Sequence, residues 1–154
     1  MQRYNWSRLN NQQVGTYTEY FVKMELTMYG LQVYTTEVDD RGIDFVARYE
    51  DESFIEIQVK SLRSPCSYVF IHKDKFMLNK NLYLAFGLLL EGKPPELYLI
   101  PSVVWEKPSK PFVSRDYEKP EQKSKPEWGL NISKKNMPLL EPYRLDKTIE
   151  SLCR

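Results

Sequence analysis

SFIEIQVKS, residues 53–61, alternates apolar and polar side chains from Ile55 to Lys60. Ile55, Ile57 and Val59 fall on one face and Glu56, Gln58 and Lys60 on the other, which is the period of a half-buried β-strand. The run GIDFV, residues 42–46, lies just upstream and is apolar and β-prone except for one aspartate, Asp44. A carboxylate among apolar neighbours is expensive to desolvate, so a metal, a cationic partner or a strand end is expected to account for it. Pairing of the two strands lets Asp44 face Gln58 and Lys60. Taken by itself, the polar face of 53–61 better suits the solvated side of a half-exposed strand. The neighbouring aspartate tips the reading toward chemistry.

Outward from these strands the chain divides by its punctuation. Between Thr16 and Tyr29, the residues Tyr17, Tyr20, Phe21, Met24 and Met28 stand at helical spacing ahead of Gly30, which predicts an amphipathic helix with a glycine stop. Leu31–Thr36 and Ile43–Tyr49 predict a hairpin across the acidic stretch 37–42, where Asp39 and Asp40 shape the turn. Ser67–His72 reads as a further strand and Phe76–Asn81 as a short helix or turn. Leu82–Leu90, apolar almost throughout, predicts a strand buried on both faces, with Glu96–Trp105 as its partner across the turn 91–95. Lys107–Lys125 is rich in lysine and proline and predicts an irregular loop or arm; Leu139–Leu152 predicts a terminal helix. The expected organisation is one domain over 1–154, with a core at 15–105 and a C-terminal arm and extension at 106–154.

Composition removes several classes of function. The chain has 154 residues, 42% hydrophobic, enough for one buried core. Its 22 basic and 21 acidic residues nearly cancel, so a nucleic-acid surface has to come from local clustering rather than a global field. No run approaches the ~18 apolar residues of a membrane span, and a cytoplasmic protein without membrane contact is expected. Two distant cysteines, Cys66 and Cys153, suggest neither a metal knuckle nor a disulfide framework. The single histidine, His72, leaves histidine-rich zinc sites and histidine triads little to work with. Catalysis would have to run on carboxylates, lysine and a metal.

Phosphodiester hydrolysis uses such a set. A hard divalent cation takes oxygen ligands from carboxylates, amides and backbone carbonyls, neutralises the phosphate and lowers the pKa of an attacking water. Asp44, the side chain of Gln58 and the carbonyl of Val59 can supply those oxygens. Lys60, on the same face as Gln58, can orient or deprotonate the water and offset charge at phosphorus.

An aspartate at the start of a strand, followed on the next strand by Gln58-Val59-Lys60, resembles the PD-(D/E)XK nuclease superfamily in a glutamine variant. It is similar to the group I intron-encoded homing endonucleases of that superfamily. The resemblance covers Gly15 to Ser61: GTYTEYFV at 15–22, Gly42-Ile43-Asp44-Phe45, and Ile57-Gln58-Val59-Lys60-Ser61. It implies an α/β fold with a restriction-endonuclease-like core, a mixed β-sheet flanked by helices in α-β-β-β-α-β order. It implies Mg²⁺, with Mn²⁺ as a substitute, at Asp44, Gln58, Val59 and a helix glutamate, Glu19. The expected activity is endonucleolytic cleavage of a specific double-stranded DNA site, of homing or restriction type. The pattern departs from the family at two places: Ile43 stands where the naming proline would be, and Gln58 replaces the commoner acid. Glu56, on the same face, is a second carboxylate, placed either to restore the lost charge or to sit at the rim.

Other readings stay open beside these. Thr16–Glu19 has the form of a capping box, which gives Glu19 a structural duty instead. His72, beside Lys73 and Lys75, suits a surface or phosphate-contacting residue. Lys107, Lys110, Lys119, Lys123 and Lys125, interleaved with Phe112, Tyr117 and Trp128, suit either a DNA-gripping arm or a solvated loop. One active site per chain requires a dimer or higher homo-oligomer to cut both strands. The rival functions are a non-catalytic DNA-binding or assembly protein that keeps the fold, and a defence nuclease acting on RNA.

Overall fold

The computed structural model describes residues 1–38 and 41–154, so Asp39 and Asp40, expected in the hairpin turn, lie outside the described residues. The first helix, α1, runs Asn11–Met28 and begins five residues before the expected Thr16. Asn10 caps it. Its side chain accepts the Gln13 N–H at 2.8 Å, and the Gln13 side chain accepts the Asn10 N–H at 2.9 Å. This reciprocal pair satisfies two donors of the first turn and starts the helix there. Thr16 is therefore interior, and the expected Thr16–Glu19 capping box is overturned.

The buried face of α1 differs as well. It consists of Val14, Thr18, Val22 and Leu26, at successive steps of four. Tyr20, Met24 and Met28, expected inside, are 62%, 56% and 81% exposed. Thr18 can face the sheet because its hydroxyl donates to the Val14 carbonyl at 2.8 Å and because Gly87 lies beneath it. A Cβ on Gly87 would stand 2.7 Å from the Thr18 methyl. The helix ends as expected at Gly30, with φ +89°, and the Leu31 N–H closes back on the Leu26 carbonyl at 3.0 Å.

Among the described residues eight strands follow: β1 Gln32–Thr35, β2 Phe45–Glu50, β3 Ser53–Arg63, β4 Tyr68–His72, β5 Leu82–Leu89, β6 Glu96–Pro101, β7 Phe112–Arg115 and β8 Glu127–Asn131. The main sheet has the order β1-β2-β3-β5-β6 and is mixed: β3 and β5 are parallel, the other pairs antiparallel. Parallel neighbours need a crossover. The resemblance implied a helix there, but β4 and the 3-10 turn Lys73–Lys75 take its place. β4 pairs with β8, and β8 with β7, in a second sheet.

The main sheet is covered on both faces over β5 and β6, as the all-buried strand β5 requires. On one face, Ile55, Ile57, Ala85 and Leu99 pack with Val22 and Leu26 of α1 and with Leu145 and Ile149 of α3 (Leu145–Leu152). On the other, Leu62, Leu84, Phe86 and Ile100 pack with Val69, Ile71, Phe112 and Leu130 of the second sheet, and with Leu140 of the short helix α2 (Met137–Leu140). The expectation of an irregular arm over Lys107–Lys125 is corrected here, since β7 lies within it and Phe112 enters the core. The two cysteines are exposed and unbridged. Among the described residues no helix is long and apolar enough to cross a membrane.

Candidate active site

The loop before β2 is fixed from outside the sheet. Gly42 has φ +77° and approaches the 73–75 turn so closely that a Cβ on it would fall 2.6 Å from the Lys75 carbonyl oxygen. Only glycine meets both conditions. Two residues later the Asp44 N–H donates to the Ile57 carbonyl at 2.9 Å. The Asp44 carboxylate turns back toward β3, where Oδ2 accepts the Val59 N–H at 2.6 Å. That bond is charge-assisted. Regular pairing of β2 with β3 starts at Phe45 and Ile57, so the side chain of Asp44 takes the β3 donor that lies just past the end of β2. The Asp44 N–H bonds the Ile57 carbonyl out of step with that register, and its side chain is tied to Val59, the residue next to Gln58 on β3.

Gln58 is 8% exposed, and its Oε1 is buried without a hydrogen-bond partner. Leaving a buried amide oxygen unsatisfied costs on the order of 1–3 kcal/mol. The N–H and C=O of one strand residue point toward the same neighbour, so the Val59 carbonyl faces the edge at which Asp44 holds the Val59 N–H. Lys60 is half-buried on the Gln58 face, opposite Phe86 of β5. Among the described residues no acid forms an ion pair with it. Glu56 is half-buried on the same face and paired with Val46, one step farther along the sheet.

Glu19 has a different environment. It forms an i,i+4 ion pair with Lys23 at 2.9 Å, and the Lys23 ammonium sits 5.3 Å from the centre of the Phe45 ring. The pair therefore lies over the residue that follows Asp44, on the helix side of the sheet. His72 is half-buried in the second sheet, opposite Glu127, and its Nδ1 is buried with no hydrogen-bond partner among the described residues. The expected mixture of lysines and aromatics after Trp105 separates. The five lysines are exposed, while Phe112 is in the core, the Tyr117 hydroxyl donates to Glu127 at 2.9 Å and the Trp128 indole donates to the Phe76 carbonyl at 3.1 Å.

The Glu127 cluster is absent from the sequence-based expectations. Glu127 is buried and also accepts a hydrogen bond from Tyr68. Burial, and then the Glu127 carboxylate, raise the Tyr68 phenol above its ordinary value. The signal available was the one that flagged Asp44: an acid beside the apolar residues of a β run, here EWGLN.

The donor chemistry around Gln58 fits a hard cation. One carboxylate, one amide oxygen and one backbone carbonyl are oxygen ligands of the kind Mg²⁺ accepts, with water and phosphate completing its shell. The orphaned Gln58 oxygen is where such an ion would bind. Among the described residues there is no cluster of three or more His, Cys, Asp or Glu, so a single carboxylate carries the charge of this set.

No family model matches the chain, and no curated protein matches it. Among solved structures it is similar to Hjc, a Holliday junction resolvase from the archaeal hyperthermophile Archaeoglobus fulgidus. The TM-score is 0.54 at 12% identity, over 88% of this chain and 95% of that one. The likeness carries the fold: a mixed sheet flanked by helices, of the restriction-endonuclease-like kind.

Proposed function

We propose that this chain is a divalent-metal-dependent endodeoxyribonuclease that hydrolyses phosphodiester bonds in double-stranded DNA. One observation carries the reading: Gln58, whose oxygen is buried and has no partner among the described residues, adjoins Val59, whose amide anchors a carboxylate at a strand end, with a lysine next along the strand. Asp44, Gln58 and the Val59 carbonyl are the proposed ligands. Mg²⁺, or Mn²⁺ in its place, would there neutralise phosphate charge and lower the pKa of a bound water. Asp44 is held by the Val59 amide and needs no reorganisation to present its charge. Lys60 orients the attacking water, accepts its proton when neutral, and offsets charge on the phosphoryl oxygens when protonated. Glu19, paired with Lys23 on the helix side of the sheet, lies off the face that carries Gln58 and Lys60 and is left out of the proposed ligand set.

Homing or restriction action at a specific site is the finer reading, and the likeness of the QVK strand to the glutamine variants supports it. With one such site per chain, cutting both strands takes at least two copies. The alternative, a DNA-binding protein with a decayed metal site, is favoured by the single carboxylate at the centre.

Calorimetric titration with Mg²⁺ and Mn²⁺, without DNA, separates the two. Binding that is lost in Asp44→Asn is expected. Absence of any Asp44-dependent binding, together with no cleavage of plasmid, linear duplex or Holliday junction, leaves the non-catalytic reading.

A further inference from the structure

The sheet face that carries Gln58 and Lys60 extends well beyond them. Tyr34 lies across from Val46 and Val46 across from Glu56; Gln32 lies across from Arg48 and Arg48 across from Phe54. Directly opposed and alternate residues share a face, so Tyr34, Arg48 and Phe54 stand on the side of Gln58 and Lys60. Over β5 and β6 the second sheet covers this face. Over β1 and β2 it is open: Tyr34 is 47% and Phe54 45% exposed, with ring centres 6.2 Å apart. Phe54 precedes Gln58 by four residues, about 13 Å along the strand, and Tyr34 is about 12 Å away across two strands. Both rings are thus within about two nucleotides of the candidate site.

Cations stand beside the rings. Arg48, on the same face, is held among the described residues by the Glu50 carbonyl at 3.1 Å and the exposed Asp51 at 3.5 Å. Lys80 lines a polar groove with Phe54, Ser53 and Asn81. Glu52 lines that groove too, and Glu56 lies between the rings and Gln58. The patch is therefore no general polyanion surface, and the rings rather than charge have to supply recognition. Exposed rings on a sheet face, with cations nearby, take nucleobases by stacking, because every base offers a π-face. A base paired within a duplex cannot reach them.

Resting on the nuclease reading, we infer that Tyr34 and Phe54 form a stacking platform for unpaired nucleotides next to the scissile phosphodiester. The substrate is then DNA whose strands part beside the cut. The platform is continuous with the Asp44–Gln58–Lys60 face, which makes the DNA strand its occupant in preference to a second copy of this chain.

The test is fluorescence anisotropy in EDTA with a blunt duplex and the same duplex carrying a short thymine arm at its 3′ or 5′ end. One arm polarity is expected to tighten binding about tenfold, within the range of base–aromatic stacking. Tyr34→Ala and Phe54→Ala each bring the armed-to-blunt ratio toward one, and Tyr34→Phe retains it. Equal affinity for armed and blunt duplexes, or losses equal on both, overturns the inference. So does a fall in particle mass by light scattering in the alanine variants with the ratio unchanged, which makes the face a contact between copies. Cleavage with Mg²⁺ is read separately. A ring-dependent preference with no cleavage of any DNA leaves the platform and removes the nuclease reading; cleavage indifferent to the arm does the reverse.

Discussion

The Val59 amide donates to Asp44 Oδ2 at 2.6 Å, joining residues on adjacent strands through one side chain and one backbone group. The bond gives Asp44 two separable duties. It satisfies a β3 donor past the end of β2, and it fixes a negative charge at Val59, the residue that adjoins Gln58. Asparagine keeps an acceptor of the same size and removes the charge, while alanine removes both.

Asp44→Asn is therefore expected to fold with a stability within about 1 kcal/mol of wild type and to lose cleavage. Asp44→Ala is expected to lose cleavage and, in addition, about 1–3 kcal/mol, because the Val59 N–H is left unpaired. Urea denaturation together with single-turnover cleavage checks both. Wild-type cleavage by Asp44→Asn reduces Asp44 to a strand-end acceptor.

Lys60→Ala is expected to lower the cleavage rate roughly 10²–10⁴-fold, the span of a general acid–base group, with melting temperature and DNA affinity little changed. Lys60→Arg distinguishes its two roles. A guanidinium supplies charge but gives up no proton near neutral pH. Near-full activity in the arginine variant identifies charge stabilisation; loss equal to that of alanine identifies proton transfer.

What was legible in the sequence was local. The period of Ser53–Ser61 and the cost of an aspartate in an apolar run need only neighbours a few residues away, and they located β3 and Asp44. The start of α1 was hidden because Asn10 and Gln13 act through side-chain bonds within a polar stretch that has no periodicity. Its buried face was misread because Thr18 packs inward only where Gly87, on a distant strand, leaves room. β7 and β8 were missed because their pairing depends on β4, and the interruption by Lys and Pro conceals four- and five-residue strands. Glu127 is stabilised by Tyr68 and Tyr117, and no single window of sequence contains all three. The Gln58 site was legible in its residue types, but the orphaned oxygen became visible only in the fold.

The Tyr68–Glu127 pair predicts a loss of stability in alkali. The folded pKa of Tyr68 is raised, first by burial and then by Glu127. Its contribution is thus fully present below the ordinary phenol value, about 10. It is lost as pH climbs from there through the folded pKa, because the native state then holds a proton that the unfolded state has released. Tyr68→Phe is expected to flatten this decline, measured as the urea midpoint from neutral pH to above 10. An unchanged slope assigns the alkaline loss to other groups.

Gln58 presents the sharpest opposition between stability and function. Its buried Oε1 has no partner, so Gln58→Leu, of similar volume, is expected to raise metal-free stability by up to about 1–3 kcal/mol while abolishing cleavage. Gln58→Glu replaces a dipole with an anion beside Asp44. Without metal it is expected to destabilise, since two carboxylates then share the site; with Mg²⁺ it is expected to bind the ion more tightly and to retain measurable cleavage. Gln58→Ala loses the ligand and leaves a cavity, and is expected to perform worst in both respects. The measurement is melting temperature and single-turnover cleavage against Mg²⁺ concentration for the three variants and wild type. A metal-dependent rise in melting temperature for wild type and Gln58→Glu, absent in Gln58→Leu, ties the orphaned oxygen to the ion. If Gln58→Ala cleaves like wild type at every metal concentration, Gln58 is only a strand residue and the metal shell lies elsewhere.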